Sequence, residues 1–187
     1  MGLFGFLEIV PPKEVHLIHC ALDDMIPYMA VFIYPYVSWF PYIVVCAYLA
    51  IKNLDDRQFK KAVLVLTTGM NIFLFISFVW PTGLSLRESI VYDLHTLSGN
   101  LLKFVQTVDT PKSVFPSMHV YVTLVLQYTL EMQKKLIPSW GIWVGRVLAV
   151  LIVLSTMFTK QHSVLDVSAA IVMFAVLVVV VEKIVKK

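Results

Sequence analysis

Charge is scarce in this chain: 14% of its 187 residues are Asp, Glu, Lys or Arg, against 59% hydrophobic, and the mean hydropathy is +0.82. That balance excludes an ordinary soluble domain and is the composition of an integral membrane protein. Cysteine is nearly absent too. Cys46 lies deep in a hydrophobic run and Cys20 at its outer flank, too far apart along a helix to bond, so both read as free thiols. The net charge of +3 comes without basic residues clustered among stacking aromatics, and no nucleic-acid partner is expected. The N-terminus lacks the basic first segment and the small-x-small site of a removable signal peptide. Carboxylate clusters and closely spaced His/Cys sets are missing, so no metal and no cofactor are expected. Without a repeat, a low-complexity tract or a linker, residues 1–187 read as a single membrane domain.

What is present is a series of long apolar runs. A helix of roughly 20 residues crosses the hydrocarbon core, and five stretches approach or exceed that length: Met25 to Ile51, Ala62 to Trp80, Ser113 to Leu130, Ile142 to Thr159 and Ser163 to Val181. None alternates like a barrel strand, and backbone groups in lipid must bond within their own segment, so these are helices. The fold expected is an all-α polytopic bundle of five transmembrane helices, six if the N-terminal segment also crosses. Residues 1–24, with Phe4, Phe6, Leu7 and Ile9 ahead of Pro11-Pro12, read instead as a helix in the membrane interface. A second amphipathic helix is expected over Arg87 to Thr107, where Ile90, Leu94, Leu97, Leu101 and Phe104 recur at helical spacing.

Basic residues fix the expected orientation. Lys52, Arg57, Lys60, Lys61, Lys134, Lys135, Lys183, Lys186 and Lys187 fall on one side of a five-helix path, with Arg146 nearby. The positive-inside rule makes that side cytoplasmic. In a cell membrane the C-terminus is then cytoplasmic and the N-terminus outside, and Arg87, Ser117, His119, Lys160, His162 and Asp166 all meet at the extracytoplasmic face.

Ionisable groups at membrane depth are costly and mark function. His162 and Asp166 are four apart, on one helical face, and helical side chains lean toward the N-terminus, so the carboxylate points back at the imidazole. Holding one ring nitrogen leaves the lone pair of the other free as nucleophile or base. Pro116 suits a first helical turn, with Ser117 and its neighbouring amides facing outward as an anion-binding helix end. His119, one turn in, can donate a proton to a departing oxygen.

At these residues the chain resembles the type 2 phosphatidic acid phosphatase superfamily, the membrane relatives of vanadium haloperoxidases. Its motifs run approximately Lys-x6-Arg-Pro, Pro-Ser-Gly-His and Ser-Arg-x5-His-x3-Asp. Here the second is Pro116-Ser117-Met118-His119, and the third is Ser155-Thr156, five residues, His162, three residues, Asp166. The first survives only as Arg87, after Trp80-Pro81-Thr82. The resemblance covers Ala62 to Val181, a phosphatase-like core over residues 62–181. It implies that His162 attacks phosphorus to form a phosphohistidine, that Asp166 orients it, and that His119 protonates the leaving oxygen and later activates water. Ser117, Arg87 and Lys160 would hold the non-bridging oxygens, with no metal.

The departures also carry information. Thr156 stands where the family has Arg, Met118 where it has Gly, and Trp80 where it often has Lys; Lys160 offers a replacement charge, as a point rather than a fork. Thr-Lys-Gln-His-x-x-x-Asp-Val and Phe-Pro-Ser-x-His-Val look like the branch of inositol phosphorylceramide synthase-like proteins and their bacterial relatives, members of which can pass the phosphoryl head group to an alcohol instead of water. The leading expectation is a membrane enzyme that hydrolyses a phosphomonoester or pyrophosphate of a lipid, its partners being that lipid and the bilayer. The alternatives are a lipid phosphotransferase, a hydrolase built on Ser117 with His and Asp, and a non-catalytic transporter or subunit using the three residues as a proton relay. The sequence leaves the oligomeric state open. Plain readings are expected elsewhere. Asp23-Asp24 is a solvated helix start, and Tyr28, Tyr34, Tyr36, Trp39 and Tyr42 are interface and packing aromatics around helix-kinking prolines. Asn71 bonds between helices, and Asp109 is positioned to brace Lys112 or Arg87.

Overall fold

The computed structural model of the protein describes residues 15–88 and 90–185. The expected interfacial helix at the extreme N-terminus falls mostly on residues 1–14, outside that range. The first described residues instead form a short strand, β1 (His16–Leu17), and a one-turn helix, α1 (Ala21–Met25).

The first apolar run is broken, as its prolines require. A 3-10 turn (Ala30–Phe32) leads into α2 (Ile33–Val37), and α3 (Trp39–Asn53) follows after Ser38. Pro35 and Pro41 each lack the N–H that a continuous ladder needs, and Ser38 Oγ donates to the Pro35 carbonyl at 2.6 Å. α4 (Asp56–Val79) starts six residues earlier than its apolar run, because Asp55 and Gln58 form a reciprocal capping box that satisfies its first amides.

After β2 (Thr82–Gly83), α5 spans Leu97–Val108, not the expected 87–107. Residues 91–96 fold back over its start instead. Thr96 caps the Gly99 amide and also donates to the Asp93 carbonyl, and a Cβ on Gly99 would lie 2.0 Å from that carbonyl, so the ladder has no room upstream. The bundle is completed by α6 (Met118–Met132), α7 (Ser139–Phe158) and α8 (Val164–Ile184).

Four segments are long and apolar enough to cross a membrane: Ala30–Asn53, Asp56–Val79, Ser139–Phe158 and Val164–Ile184. The run expected from Ser113 to Leu130 differs. Residues 113–117 are irregular, Ser113 has φ 52°, and Ser117 caps a helix of 15 residues, about 22 Å long at 1.5 Å per residue. α6 is shorter because it is interior: it packs against α3, α4, α7 and α8 together. Val120, Tyr121 and Val125 are buried on it among Val65, Val167 and Ala170 of its neighbours.

The two ends of the bundle are chemically distinct. At one, Arg57 Nε and Nη2 donate to the Val185 carbonyl, Lys61 pairs with Glu182, and Asn53 Nδ2 donates to Gln133 Oε1. The α3–α4 turn, the end of α6 and the end of α8 therefore lie together, and Lys134, Lys135 and Lys183 sit there. At the other end three connecting segments are stitched into a cap. β1 pairs in parallel with β2, and Gly83 bridges Lys112. Ile18, Leu84 and Val114 form a small core beneath. Gly83 lets the segments approach closely there: a Cβ would lie 2.6 Å from the Val15 side chain and 3.3 Å from the Pro111 carbonyl.

Candidate active site

The turn between α7 and α8 is the foundation of the site. α7 ends in a Schellman arrangement, with Gln161 N donating to the Thr156 carbonyl and Lys160 N to the Met157 carbonyl. Lys160 occupies the left-handed position at φ 56°, where glycine is usual. The Thr156 carbonyl also accepts from His162 N at 3.0 Å, which sets the backbone of His162 just before Ser163, the N-cap of α8. Asp166 follows in the first turn, and His162 Nδ1 lies 2.6 Å from its Oδ2. A carboxylate only accepts, so the imidazole donates through Nδ1 and Nε2 keeps its lone pair. His162 is 7% exposed and Asp166 fully buried.

α6 brings the second histidine. Pro116 lies one position ahead of the N-cap rather than inside the first turn, and Ser117 N donates to the Asp166 carbonyl at 3.0 Å, so the starts of α6 and α8 are pinned side by side. His119 Nδ1 then lies 3.4 Å from His162 Nε2, and Trp39 packs 4.5 Å from the His119 ring, centre to centre. Ser117 itself is turned inward. Its hydroxyl accepts from Val120 N at 3.4 Å, its exposure is 0%, and it is not part of the cavity wall.

A cavity of about 70 Å³ opens over the two imidazoles, lined by Arg87, Asp109, Lys112, Met118, Gln161 and His162 among others. Arg87 donates through Nη1 to the Asp109 carbonyl, while its Nε is buried without a partner. Burial pushes the Arg87 guanidinium below its ordinary pKa, against the pull of Asp109 and Tyr36. Gln161 is 1% exposed, with both side-chain polar atoms unpartnered. Arg87 and Gln161 thus both line this cavity and both carry buried polar atoms with no hydrogen-bond partner among the described residues.

Of the six residues expected to meet, His119, His162, Asp166 and Arg87 do so. Lys160 does not line the cavity: its ammonium donates at 2.6 Å to the carbonyls of both Asp23 and Ile26. The cation beside Arg87 in the wall is Lys112. Trp80, at the place of the family's Lys, packs on Phe115 and His16. Thr156 directs its hydroxyl to the Val153 carbonyl.

Three plain readings are corrected. Asp23 is no solvated helix start: it is 2% exposed, accepts from Ser163 Oγ at 2.6 Å and Val164 N at 2.8 Å, and so caps α8 from outside. Burial raises its pKa, but the hydrogen bonds from Ser163, Val164 and Cys20 outweigh that and leave it below the ordinary value. Tyr36 is more than a packing aromatic, since its hydroxyl lies 2.7 Å from Asp109 Oδ2 and 3.0 Å from His119 Nε2. Asn71 bonds the Thr67 carbonyl within its own helix. Sequence reasoning missed Tyr36 and Gln161. Gln161 carried a signal, an uncharged amide beside His162 in an apolar setting; Tyr36, 83 residues from His119, carried none.

A second hollow, apolar and about 420 Å³, opens sideways between α3 and α5. Its walls include Trp39, Phe40, Phe104, Val105 and Val108, and it shares Asp109, Met118 and His119 with the first cavity.

The family profile described as PAP2 superfamily matches residues 19–180. No curated protein and no solved structure matches the chain.

Proposed function

The chain belongs to the PAP2 superfamily, and on that footing we propose that it is a membrane phosphatase that hydrolyses a phosphomonoester or pyrophosphate of a lipid through a phosphohistidine. The observation that carries the reading is the pair of imidazoles with facing nitrogens 3.4 Å apart, one ring held by a buried carboxylate, beneath a cavity with unpaired cationic and amide donors.

In this mechanism His162 Nε2 attacks phosphorus, and Asp166 stabilises the positive charge that appears on the ring. The phosphorus–oxygen bond to the lipid breaks, and the leaving oxygen takes a proton from His119 Nδ1. His119, now neutral, removes a proton from water, which attacks the phosphohistidine and releases phosphate. Arg87 and Gln161 hold the non-bridging oxygens, with Lys112 adding charge; these donors are in place before charge develops. Lys160 braces the turn that carries His162. Ser117 supports the site as the cap of α6.

Lipid as substrate is supported by the sideways apolar hollow, which meets the small cavity at His119, so a chain can lie against Trp39 and Phe104 while its head group reaches the histidines. The site is assigned to the extracytoplasmic face because the Lys/Arg-rich connections gather at the opposite end. α6 is read as a fifth, interior crossing, since the chain must travel along it from the histidine end to the basic end.

The test is brief exposure of the purified protein in vesicles to phosphate-labelled phosphatidic acid, then an acid quench. Acid-labile label on His162 with free phosphate following supports the hydrolase. His162→Ala should lower phosphate release by at least about 1,000-fold, and a rate near wild type ends the mechanism. Label appearing on an added alcohol, with no free phosphate, would assign the protein to phosphoryl transfer instead.

A further inference from the structure

His119 is tied on both sides, and the second tie has no part in the steps above. Its Nδ1 faces His162, while its Nε2 lies 3.0 Å from the Tyr36 hydroxyl. That hydroxyl is also 2.7 Å from Asp109 Oδ2, and Tyr36 is 2% exposed, held among Ile33 and Leu102. The two distances fix the partners, and the direction of each hydrogen bond follows from the donor inventory of the three groups. A carboxylate has no proton to give, so the phenol proton points to Asp109. The phenol oxygen then has only lone pairs for His119, which must donate through Nε2.

The consequence reaches the reacting atoms. With Nε2 holding its proton, the neutral His119 ring has its lone pair on Nδ1, toward His162 Nε2, itself a lone pair because Nδ1 of that ring donates to Asp166. Two lone pairs face each other across 3.4 Å, so Nδ1 is the atom of His119 that takes up and gives back a proton on the facing edge. That proton is the one a leaving oxygen needs. After it has gone, the same nitrogen is the base that water needs. The site is thus double-ended, Asp166 to His162 directly and Asp109 to His119 through a phenol.

We propose that Tyr36 is the positioning residue of the acid–base half of the reaction: it transmits the charge of Asp109 to His119 and holds the ring in the tautomer whose free nitrogen faces the phosphoryl group. This rests on the phosphatase reading. Without the hydroxyl, the neutral ring is free to move its proton to Nδ1, where it can no longer accept one from water.

The experiment compares two substrates in Tyr36→Phe: a lipid phosphate, whose alkoxide needs a proton to leave, and nitrophenyl phosphate, whose phenolate does not. With the lipid phosphate, kcat should fall about 100-fold, the lower range for general acid–base catalysis, with KM unchanged within about 2-fold. With nitrophenyl phosphate, His162 should still be phosphorylated at close to the wild-type rate. Nitrophenol should appear as a burst equal to the enzyme present, and phosphohistidine should accumulate because its hydrolysis still needs the base. A purely structural role predicts equal losses on both substrates and no accumulation, and that result overturns the inference. Asp109→Asn, which can present Tyr36 with a donor in place of an acceptor, should give the same signature in weaker form and serves if the phenylalanine variant folds poorly. Wild-type protein that releases phosphate from neither substrate overturns the phosphatase reading and this inference with it; wild-type turnover with an unaltered Tyr36→Phe variant overturns the inference alone.

Discussion

The two ends of the bundle use similar side chains and differ in how those side chains are satisfied. At the basic end Lys61 meets Glu182, which also accepts from Tyr128, and Arg146 forks onto Glu131 through Nε and Nη2. Among the described residues, every buried side-chain nitrogen or oxygen lacking a hydrogen bond lies toward the other end: Tyr28 Oη, Trp39 Nε1, Ser77 Oγ, Arg87 Nε, both amide atoms of Gln161 and Asp166 Oδ1. An unsatisfied buried group costs about 1–3 kcal/mol. These groups gather at the end that carries the histidines, and three of the residues line or support the cavity over them. The basic end stabilises; the histidine end keeps unfilled bonds.

The largest effect that tests this contrast is at Asp166. Asp166→Asn keeps the shape but allows the wrong tautomer of His162, and kcat for phosphate release should drop about 1,000-fold with folding intact by circular dichroism. A loss under about 3-fold would mean that the carboxylate is structural and the contrast misplaced.

Next come Arg87, in the cavity wall, and Lys160, outside it. Arg87→Met should lower kcat/KM about 100-fold, the scale of one lost transition-state donor. Lys160→Met, which removes the tie to the Asp23 and Ile26 carbonyls, should change kcat/KM under about 5-fold while lowering the unfolding midpoint. The reverse order of activities would return Lys160 to the phosphate site.

A smaller effect distinguishes clasp from site at Asp23. Its pKa is lowered by the hydrogen bonds from Ser163, Val164 and Cys20, so its contribution to stability is complete above the unfolded-state pKa and disappears as pH falls through the folded-state value. Asp23→Asn should cost about 1–2 kcal/mol at neutral pH, and the gap in thermal midpoint from wild type should narrow on acidification. A constant gap across the acid range would show that the carboxylate charge is irrelevant there. The least effect on chemistry is expected at the basic end, where Lys61→Met should cost about 1 kcal/mol of stability and leave phosphate release unchanged.

How much of this was legible in the sequence depends on the reach of each interaction. His162 and Asp166 are joined by a four-residue spacing, which a helix converts into contact without further help. The apolar runs likewise announce helices, because lipid leaves the backbone no alternative partners. Lys160 lies outside the cavity for a local reason: in its left-handed backbone its ammonium meets the Asp23 and Ile26 carbonyls, and no sequence pattern marks a lysine that adopts glycine's conformation. α5 started late because Thr96 and Gly99 close a turn over Asp93. α6 fell short because its first five expected residues are drawn into the cap with β2, a pairing that hydropathy does not register.

Composition and short-range periodicity alone determined that this chain is a helical membrane protein with His162 beside Asp166 and His119 at a helix start, since those features depend on solvent and on a few residues of spacing. Only the tertiary structure decided which groups complete the site: Tyr36 from the broken first helix, Asp109 from the end of α5, Gln161 and Lys112 in the wall, and Lys160 outside it. The reason is physical. A hydrogen bond between residues 83 apart exists only once several helices have packed, and packing depends on the whole surface of each helix, which no local pattern encodes.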